Sequence, residues 1–65
     1  MFPNLEAEQK KAGLTDQMAA DKIGLSKASF KNKKRTGKFY IQEIFNLCNM
    51  FKCKFEYLFV WQDDN

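Results

Sequence analysis

Residues 14–30, LTDQMAADKIGLSKASF, carry the clearest structural pattern in this chain. Thr15 and Ser26 can each accept a hydrogen bond from the first turn of a helix, so each can begin one. Gly24 separates the two helices and supplies the positive φ that a sharp turn requires. Ala20, four residues before Gly24, is small enough to let the second helix approach closely. The spacing therefore predicts a helix-turn-helix.

Similar signals predict an all-α fold, a compact bundle of about five short helices in one domain, residues 1–65. The helices are expected at about 5–12, 16–23, 27–34, 41–51 and 55–60, the first with Asn4 as its N-cap. A C-terminal strand is the competing interpretation, because residues 38–41 and 55–61 are apolar and rich in aromatic side chains. The expected core consists of Leu5, Leu14, Ala20, Ile23, Leu25, Phe30, Ile44, Leu47, Phe51, Phe55 and Leu58.

The size and composition of the chain argue against an enzyme. Sixty-five residues are too few for a deep catalytic cleft, and the absence of histidine removes the commonest general base and metal ligand. Cys48 and Cys53 are too few for a disulfide framework or a structural zinc site. No apolar run approaches the roughly 18 residues of a membrane span, and the first residues do not resemble a signal peptide. We expect a cytoplasmic protein that needs no cofactor and no metal.

The positive charge is concentrated in the middle of the chain. The net charge is +3, with 11 basic and 8 acidic residues. Residues 22–42 contain no acid and seven basic residues: Lys22, Lys27, Lys31, Lys33, Lys34, Arg35 and Lys38. A solvated basic surface is the simpler explanation, but such surfaces normally mix charges of both signs. The distribution therefore indicates a polyanionic partner.

The second helix of the predicted pair also breaks two local rules. Lys27 lies in its first turn, where the helix dipole disfavours cations. Lys27 and Lys31 form a like-charge pair at i, i+4, which costs a few tenths of a kcal/mol. A helix that violates such preferences does so for a partner. Duplex DNA fits that role, because its phosphates neutralise the cations and release counterions.

Residues 14–30 resemble the helix-turn-helix of the lambda-repressor-like family, the phage repressor and Cro type. The resemblance covers roughly residues 5–58 and continues through the apolar positions Ile44, Leu47, Phe51, Cys53 and Leu58. It implies a five-helix bundle and a transcriptional regulator of the repressor type. It also implies a homodimer that binds a palindromic operator in double-stranded DNA.

Helical geometry and the resemblance together assign roles at the DNA. The N-terminal part of the second helix faces the major groove in this motif, and Phe30 is expected to face inward. The expected base-reading residues are Lys27, Ala28, Ser29 and Asn32. The expected phosphate contacts are Thr15, Gln17, Lys31, Lys34, Arg35 and Lys38.

Two departures from the family pattern affect these roles. The family usually has glutamine where this chain has Asp16, and a carboxylate facing phosphate would be repelled. We therefore expect Asp16 either to turn away or to act only as a charge at the helix end. The family often pairs an arginine of the first helix with a glutamate after the recognition helix. Gln9 and Lys34 occupy those positions here. We therefore expect that ion pair to be lost and Lys34 to be free for phosphate.

The C-terminal run 55–61 is apolar on nearly every side, although a short helix needs only one apolar stripe to dock. Some of the remaining side chains are therefore expected to be left over, and the expected two-fold dimer interface consists of Tyr57, Phe59, Val60 and Trp61. Such a dimer would place two recognition helices about 34 Å apart. The alternative is that Trp61 folds back over its own core.

Two other functions stay open from the residues. The same fold could hold another protein, as an antitoxin or antirepressor does. The chain could also bind RNA or single strands, with Phe39 and Tyr40 as a stacking platform among lysines. The acid-free basic segment favours DNA over a protein partner.

Overall fold

The computed structural model describes residues 1–63, which form a compact all-helical fold. The helices are α1 (Pro3–Lys11), α2 (Asp16–Lys22), α3 (Lys27–Thr36), α4 (Ile41–Phe51) and α5 (Phe55–Leu58). No strand occurs among residues 1–63. The all-α prediction is confirmed. The competing C-terminal strand is wrong, because the apolar run begins with α5 and packs against α1 and α4 without a strand partner.

Side-chain caps fix the starts of α2 and α3 as the sequence predicts. The Thr15 hydroxyl oxygen accepts from the Met18 N–H at 3.1 Å, and the Ser26 hydroxyl oxygen accepts from the Ser29 N–H at 3.1 Å. Leu25 closes the turn between the helices by donating its N–H to the Ala20 carbonyl oxygen at 2.9 Å. The caps satisfy N–H groups that the first turn of a helix leaves unpaired.

The first helix begins earlier than expected, and Asn4 is not its N-cap. Phe2 is at the N-cap and Pro3 occupies the first turn, where its missing N–H costs nothing. The Asn4 side chain instead donates to the Tyr57 carbonyl oxygen at 2.8 Å. That contact ties α1 to α5, so the amide serves tertiary packing rather than the helix start.

The core is smaller than the predicted list, because Leu14, Leu25, Ile44 and Phe51 are only partly buried. Its buried apolar residues are Phe2, Leu5, Ala19, Ala20, Ile23, Phe30, Leu47 and Leu58. Phe2 was not expected there, yet it fills the space that the C-terminal segment encloses. Phe55 was expected to be buried, but its side chain is 55% exposed. Leu58 takes the inward position of α5, which leaves Phe55 on the outside.

The first two residues pack against residues 59–62, and aromatic rings fill the contact. The Phe2 ring lies 5.2 Å from the Phe59 ring and 4.9 Å from the Trp61 ring, centroid to centroid, and 6.0 Å from the ring of Phe39. The Gln62 N–H donates to the Met1 carbonyl oxygen at 2.9 Å. Trp61 therefore folds back over its own core, as the alternative interpretation of the C-terminal run expected.

Gly37, which ends α3 with a φ of 81°, lies against Trp61, so alanine at this position should move the ring. A methyl group on Gly37 would meet a Trp61 ring carbon at 3.2 Å. The matched control is Gly24→Ala, since Gly24 has a φ of 76° and open space around it. Both substitutions should cost about 1–2 kcal/mol of backbone strain, but only Gly37→Ala should also change the fluorescence of Trp61. Thermal unfolding and tryptophan emission measure the two effects. An unchanged emission in Gly37→Ala would contradict the contact.

Candidate nucleic-acid interface

Helix α3 has one buried side and one exposed side. Phe30 is fully buried, and Lys33 and Lys34, one turn later, are half-buried. The opposite side is exposed and carries all four predicted base-reading residues together with two predicted phosphate contacts: Lys27, Ala28, Ser29, Asn32, Lys31 and Arg35. The prediction that Phe30 faces inward is confirmed. The expected base-reading positions therefore all face solvent.

Helix α2 is in contact with α3 and has small side chains buried in the core. Ala19 and Ala20 are fully buried, and Ile23 at the end of α2 is 9% exposed. Gly24 follows with its positive φ, so the chain reverses within four residues before α3 begins. This packing fixes α3 on the body of the protein and leaves its outer side open.

Three cations form a stripe along that outer side. Lys27, Lys31 and Arg35 are spaced at i, i+4 and i+8, and we call them the α3 basic stripe. They lie about 6 Å apart along the helix axis, as the helical rise requires. Lys22 and Lys38 are exposed at the two flanks of α3. Within residues 1–63, none of these five cations takes part in an ion pair.

Lys34 is not free, and the expectation that it lies open to phosphate is wrong. Its Nζ lies 2.6 Å from Asp16 Oδ1 and 3.0 Å from Gln9 Oε1, and it also contacts the Glu6 carboxylate. The Lys34 side chain is only 12% exposed. The carboxylates of Asp16 and Glu6 supply the negative charge that Gln9 lacks. Lys34 therefore joins α1, α2 and α3.

Asp16 turns towards Lys34 and Gln9, which agrees with the first of the two expectations for it. Its carboxylate accepts from Lys34 and from the Gln9 amide at 2.9 Å. Burial opposes ionisation, but the hydrogen bonds from Lys34 and Gln9 and the charges of Lys34 and Lys31 outweigh it. The pKa of Asp16 consequently lies below its usual value.

Lys33 is the second cation of the acid-free segment that meets an acid. Its Nζ lies 2.8 Å from both carboxylate oxygens of Glu43 and 4.2 Å from the centroid of the Tyr40 ring. Glu43 also accepts from the Tyr40 N–H at 2.9 Å. Sequence reasoning missed this pair. The available signal was that Glu43 is the first acid after the segment and the sole charge of α4.

The remaining predicted phosphate contacts are exposed. Thr15 uses its hydroxyl oxygen as a cap and keeps its hydroxyl proton available. The Gln17 amide donates to Asp21 at 2.8 Å and retains a second N–H. Lys38 lies in the loop that follows Gly37. Arg35 donates to the Asn32 side-chain oxygen at 2.7 Å, so an expected phosphate contact is hydrogen-bonded to an expected base-reading residue.

The predicted dimer residues are not all left over after folding. The Trp61 ring packs on Phe2 but stays 44% exposed, and the role of these four residues in a dimer stays a prediction. Phe59 is not left over, since it is half-buried between Phe2 and Phe39. The reason is that the C-terminal segment turns back over the first residues. Val60 is 45% exposed, and Tyr57 is 42% exposed with its hydroxyl donating to Glu8 at 3.0 Å.

Comparison of the chain with protein-family models, with curated proteins and with solved structures found no match. The resemblance to the lambda-repressor-like family stays a prediction from the residues. Across residues 1–63, no helix is both long enough and apolar enough to cross a membrane. The features that bear on function are the charges and the exposed side chains on and around α3.

Proposed function

We propose that this chain is a sequence-specific regulator that binds double-stranded DNA, with α2 and α3 acting as a helix-turn-helix and α3 in the major groove. The observation that carries the proposal is the α3 basic stripe. Two of the seven cations in the acid-free segment are bound by acids, whereas five stay exposed and without an ion pair in residues 1–63.

The energetics of the stripe favour a polyanion. Lys27 and Lys31, and then Lys31 and Arg35, are like charges one turn apart, and each pair costs a few tenths of a kcal/mol in the free protein. Phosphates on both sides of a groove would remove that cost and release counterions. A helix about 10–12 Å across fits a major groove about 12 Å wide.

The exposed side of α3 also carries side chains that can distinguish bases. Lys27 can donate to guanine, Ser29 can bond either kind of base, and Ala28 can contact a thymine methyl group. Asn32 can bond adenine through its amide nitrogen and oxygen. Arg35 donates to that oxygen in the free protein, and the second lone pair of the oxygen stays available to a base. Thr15, Gln17, Lys31 and Lys38 are the other proposed phosphate contacts.

The proposed regulator acts as a repressor of the Cro type, as a homodimer on a palindromic operator in the bacterial cytoplasm or nucleoid. Occupancy of the operator would exclude polymerase. A single-strand or RNA binder has less support, because Phe39 packs against Phe2, Phe30 and Phe59, so that Tyr40 alone of the two expected stacking residues is exposed.

Selection of bound duplexes from a random pool, followed by salt titration on the enriched duplex, tests this function. Lys31→Ala should weaken binding to every duplex and lower the slope of log affinity against log salt by about one. Asn32→Ala should cost about 1–3 kcal/mol on the enriched duplex and relax one base position.

The matched control for charge is Lys10→Ala, which removes an exposed cation from α1. It should leave both the affinity and the salt slope nearly unchanged. Equal effects of Lys10→Ala and Lys31→Ala would show diffuse binding and reject the role of α3. Failure of any duplex to enrich, or preferential enrichment of RNA, would reject the proposed function.

A further inference from the structure

Helix α4 has an outer surface without charge. Its single charged residue, Glu43, is buried and bound to Lys33 and to the Tyr40 N–H. The other ten residues of α4 are apolar or carry neutral polar groups. The surface of a small soluble domain normally mixes charges of both signs. An uncharged helix surface is instead typical of the centre of a protein interface.

The same helix is apolar on two sides. Leu47 faces the core and is fully buried. Ile41, Phe45 and Cys48 form a second stripe at i, i+4 and i+7, of which Ile41 is 70% exposed and Phe45 is 55% exposed. One apolar stripe is sufficient to dock a helix on its own core. Cys48 packs partly against the core, whereas Ile41 and Phe45 stay exposed in residues 1–63.

The second stripe borders a groove between α4 and α5. Phe39, Ile41, Ile44, Phe45, Cys48 and Phe55 line a cleft of about 510 Å³, which we call the α4–α5 groove. Phe55, across the cleft from α4, is 55% exposed. Single exposed apolar side chains are ordinary, but contiguous ones mark an interaction site.

We propose that a second copy of this chain docks in the α4–α5 groove and forms a two-fold dimer, with the Phe45 side chain of each copy entering the groove of the other. In a two-fold contact every residue near the axis meets its own counterpart. The basic surface around α3 would repel itself in such a contact, whereas the residues that line the α4–α5 groove carry no charge. The groove is thus suited to self-association.

The exposed area predicts the strength of this dimer. Ile41, Phe45 and Phe55 together expose on the order of 400 Å², about half of the roughly 800 Å² that each partner of a stable complex buries. The free protein should therefore dimerise weakly, at high micromolar to millimolar concentration. This inference deepens the proposed function, because DNA with two half-sites would hold the two copies together and stabilise the dimer.

Sedimentation equilibrium at increasing protein concentration tests for the groove dimer in the absence of DNA. The wild-type mass should rise from monomer towards dimer. Phe45→Glu, and independently Ile41→Lys, should stay monomeric, because each places like charges on both sides of the two-fold axis. Helical content by circular dichroism should be unchanged, since both side chains are exposed. Val60→Glu is the matched control from the C-terminal segment, with Val60 exposed to a similar degree.

Three results would overturn the groove dimer. The first is a wild-type protein that stays monomeric at millimolar concentration, which would leave the groove to a different protein. The second is dimerisation that survives Phe45→Glu and Ile41→Lys. The third is loss of dimerisation in Val60→Glu alone, which would place the interface at the C-terminal segment.

Thiol labelling gives a second readout at the groove itself. In the variant Cys53→Ser, modification of Cys48 by N-ethylmaleimide should slow as the protein concentration rises, because Cys48 lines the groove. Cys53, measured in Cys48→Ser, should react at the same rate at all concentrations. Concentration-independent labelling of Cys48 would contradict occupation of the groove.

DNA then separates failure of the dimer from failure of the proposed function. Phe45→Glu should bind a single half-site as the wild type does, but should lose about 100-fold of the preference for a two-fold duplex. If neither protein binds any duplex while the wild type still dimerises, the proposed DNA binding is rejected and the groove dimer is retained. If both bind half-sites and two-fold duplexes alike, the groove dimer fails.

Discussion

Phe30→Ala should lower the free energy of unfolding by about 3–5 kcal/mol and leave the protein largely unfolded. Phe30 is fully buried at the centre of α3, 6.2 Å from the ring of Phe39, and its removal leaves a cavity that the small core cannot fill. The whole stability of a domain of this size is only about 3–10 kcal/mol. Loss of Phe30 would also release α3 from α2, so DNA binding should disappear with the fold.

The matched control for Phe30 is Phe45→Ala, the same chemical change at a side chain that is 55% exposed. It should cost less than about 1 kcal/mol when measured at low protein concentration, where the chain is monomeric. Urea unfolding followed by far-ultraviolet circular dichroism compares the two variants. Equal losses of stability would mean that Phe30 does not anchor α3 in the manner described.

Lys34→Met should cost about 2 kcal/mol of stability, although lysine is usually replaceable on a protein surface. The substitution leaves the carboxylates of Asp16 and Glu6 close together without their cation. Lys31→Met is the matched control, because Lys31 is exposed and has no ion pair within residues 1–63. It should change stability by no more than about 0.5 kcal/mol.

For DNA binding the order is reversed: Lys31→Met should have a larger effect on the salt dependence of affinity than Lys34→Met. Lys31→Met removes a cation from the α3 basic stripe and should lower the salt slope by about one, as a lost phosphate contact does. Lys34→Met should keep the wild-type slope when it is measured well below its unfolding temperature. A lower slope for Lys34→Met would show that Lys34 leaves the acids on binding DNA and contacts phosphate.

The contact between Lys34 and Asp16 should also make the stability of the protein depend on pH in the acid range. The pKa of Asp16 in the folded protein lies below its ordinary value of 3.8, so ionised Asp16 stabilises the fold above that value. This stability is lost as the pH falls below about 4 and through the pKa of the folded state. Lys34→Met removes the main partner of the carboxylate and should flatten the decline in thermal midpoint over this range. An equally steep decline in both proteins would assign acid sensitivity to other groups.

Local signals were sufficient to predict much of this fold. Thr15 and Ser26 cap their helices through contacts only three residues long, and the bounds of α4 are those expected from the sequence. The outward direction of Lys27 and Asn32 follows from helical periodicity once Phe30 is placed inside. These features depend on near neighbours, which the sequence displays directly.

Contacts between distant segments could not be predicted in the same way. The seven cations of the middle segment look alike in the sequence, and which of them meets an acid depends on how helices approach one another. Lys34 meets Glu6 and Asp16 only because α1 and α2 converge on α3. Asn4 likewise had a plausible role as a cap, but Tyr57, 53 residues away, provides its hydrogen-bond partner.

The contacts between α1 and the C-terminal segment also restrict when the protein can fold during synthesis. Asn4 and Glu8 both bond Tyr57, and Met1 bonds Gln62, across separations of 53, 49 and 61 residues. Closing a loop of about 50 to 60 residues is entropically costly and cannot occur until both segments have been synthesised. Helices α2 and α3 can form while the chain is still attached to the ribosome. Phe2 can become buried only after Phe59 and Trp61 have left the exit tunnel, because their rings pack against it.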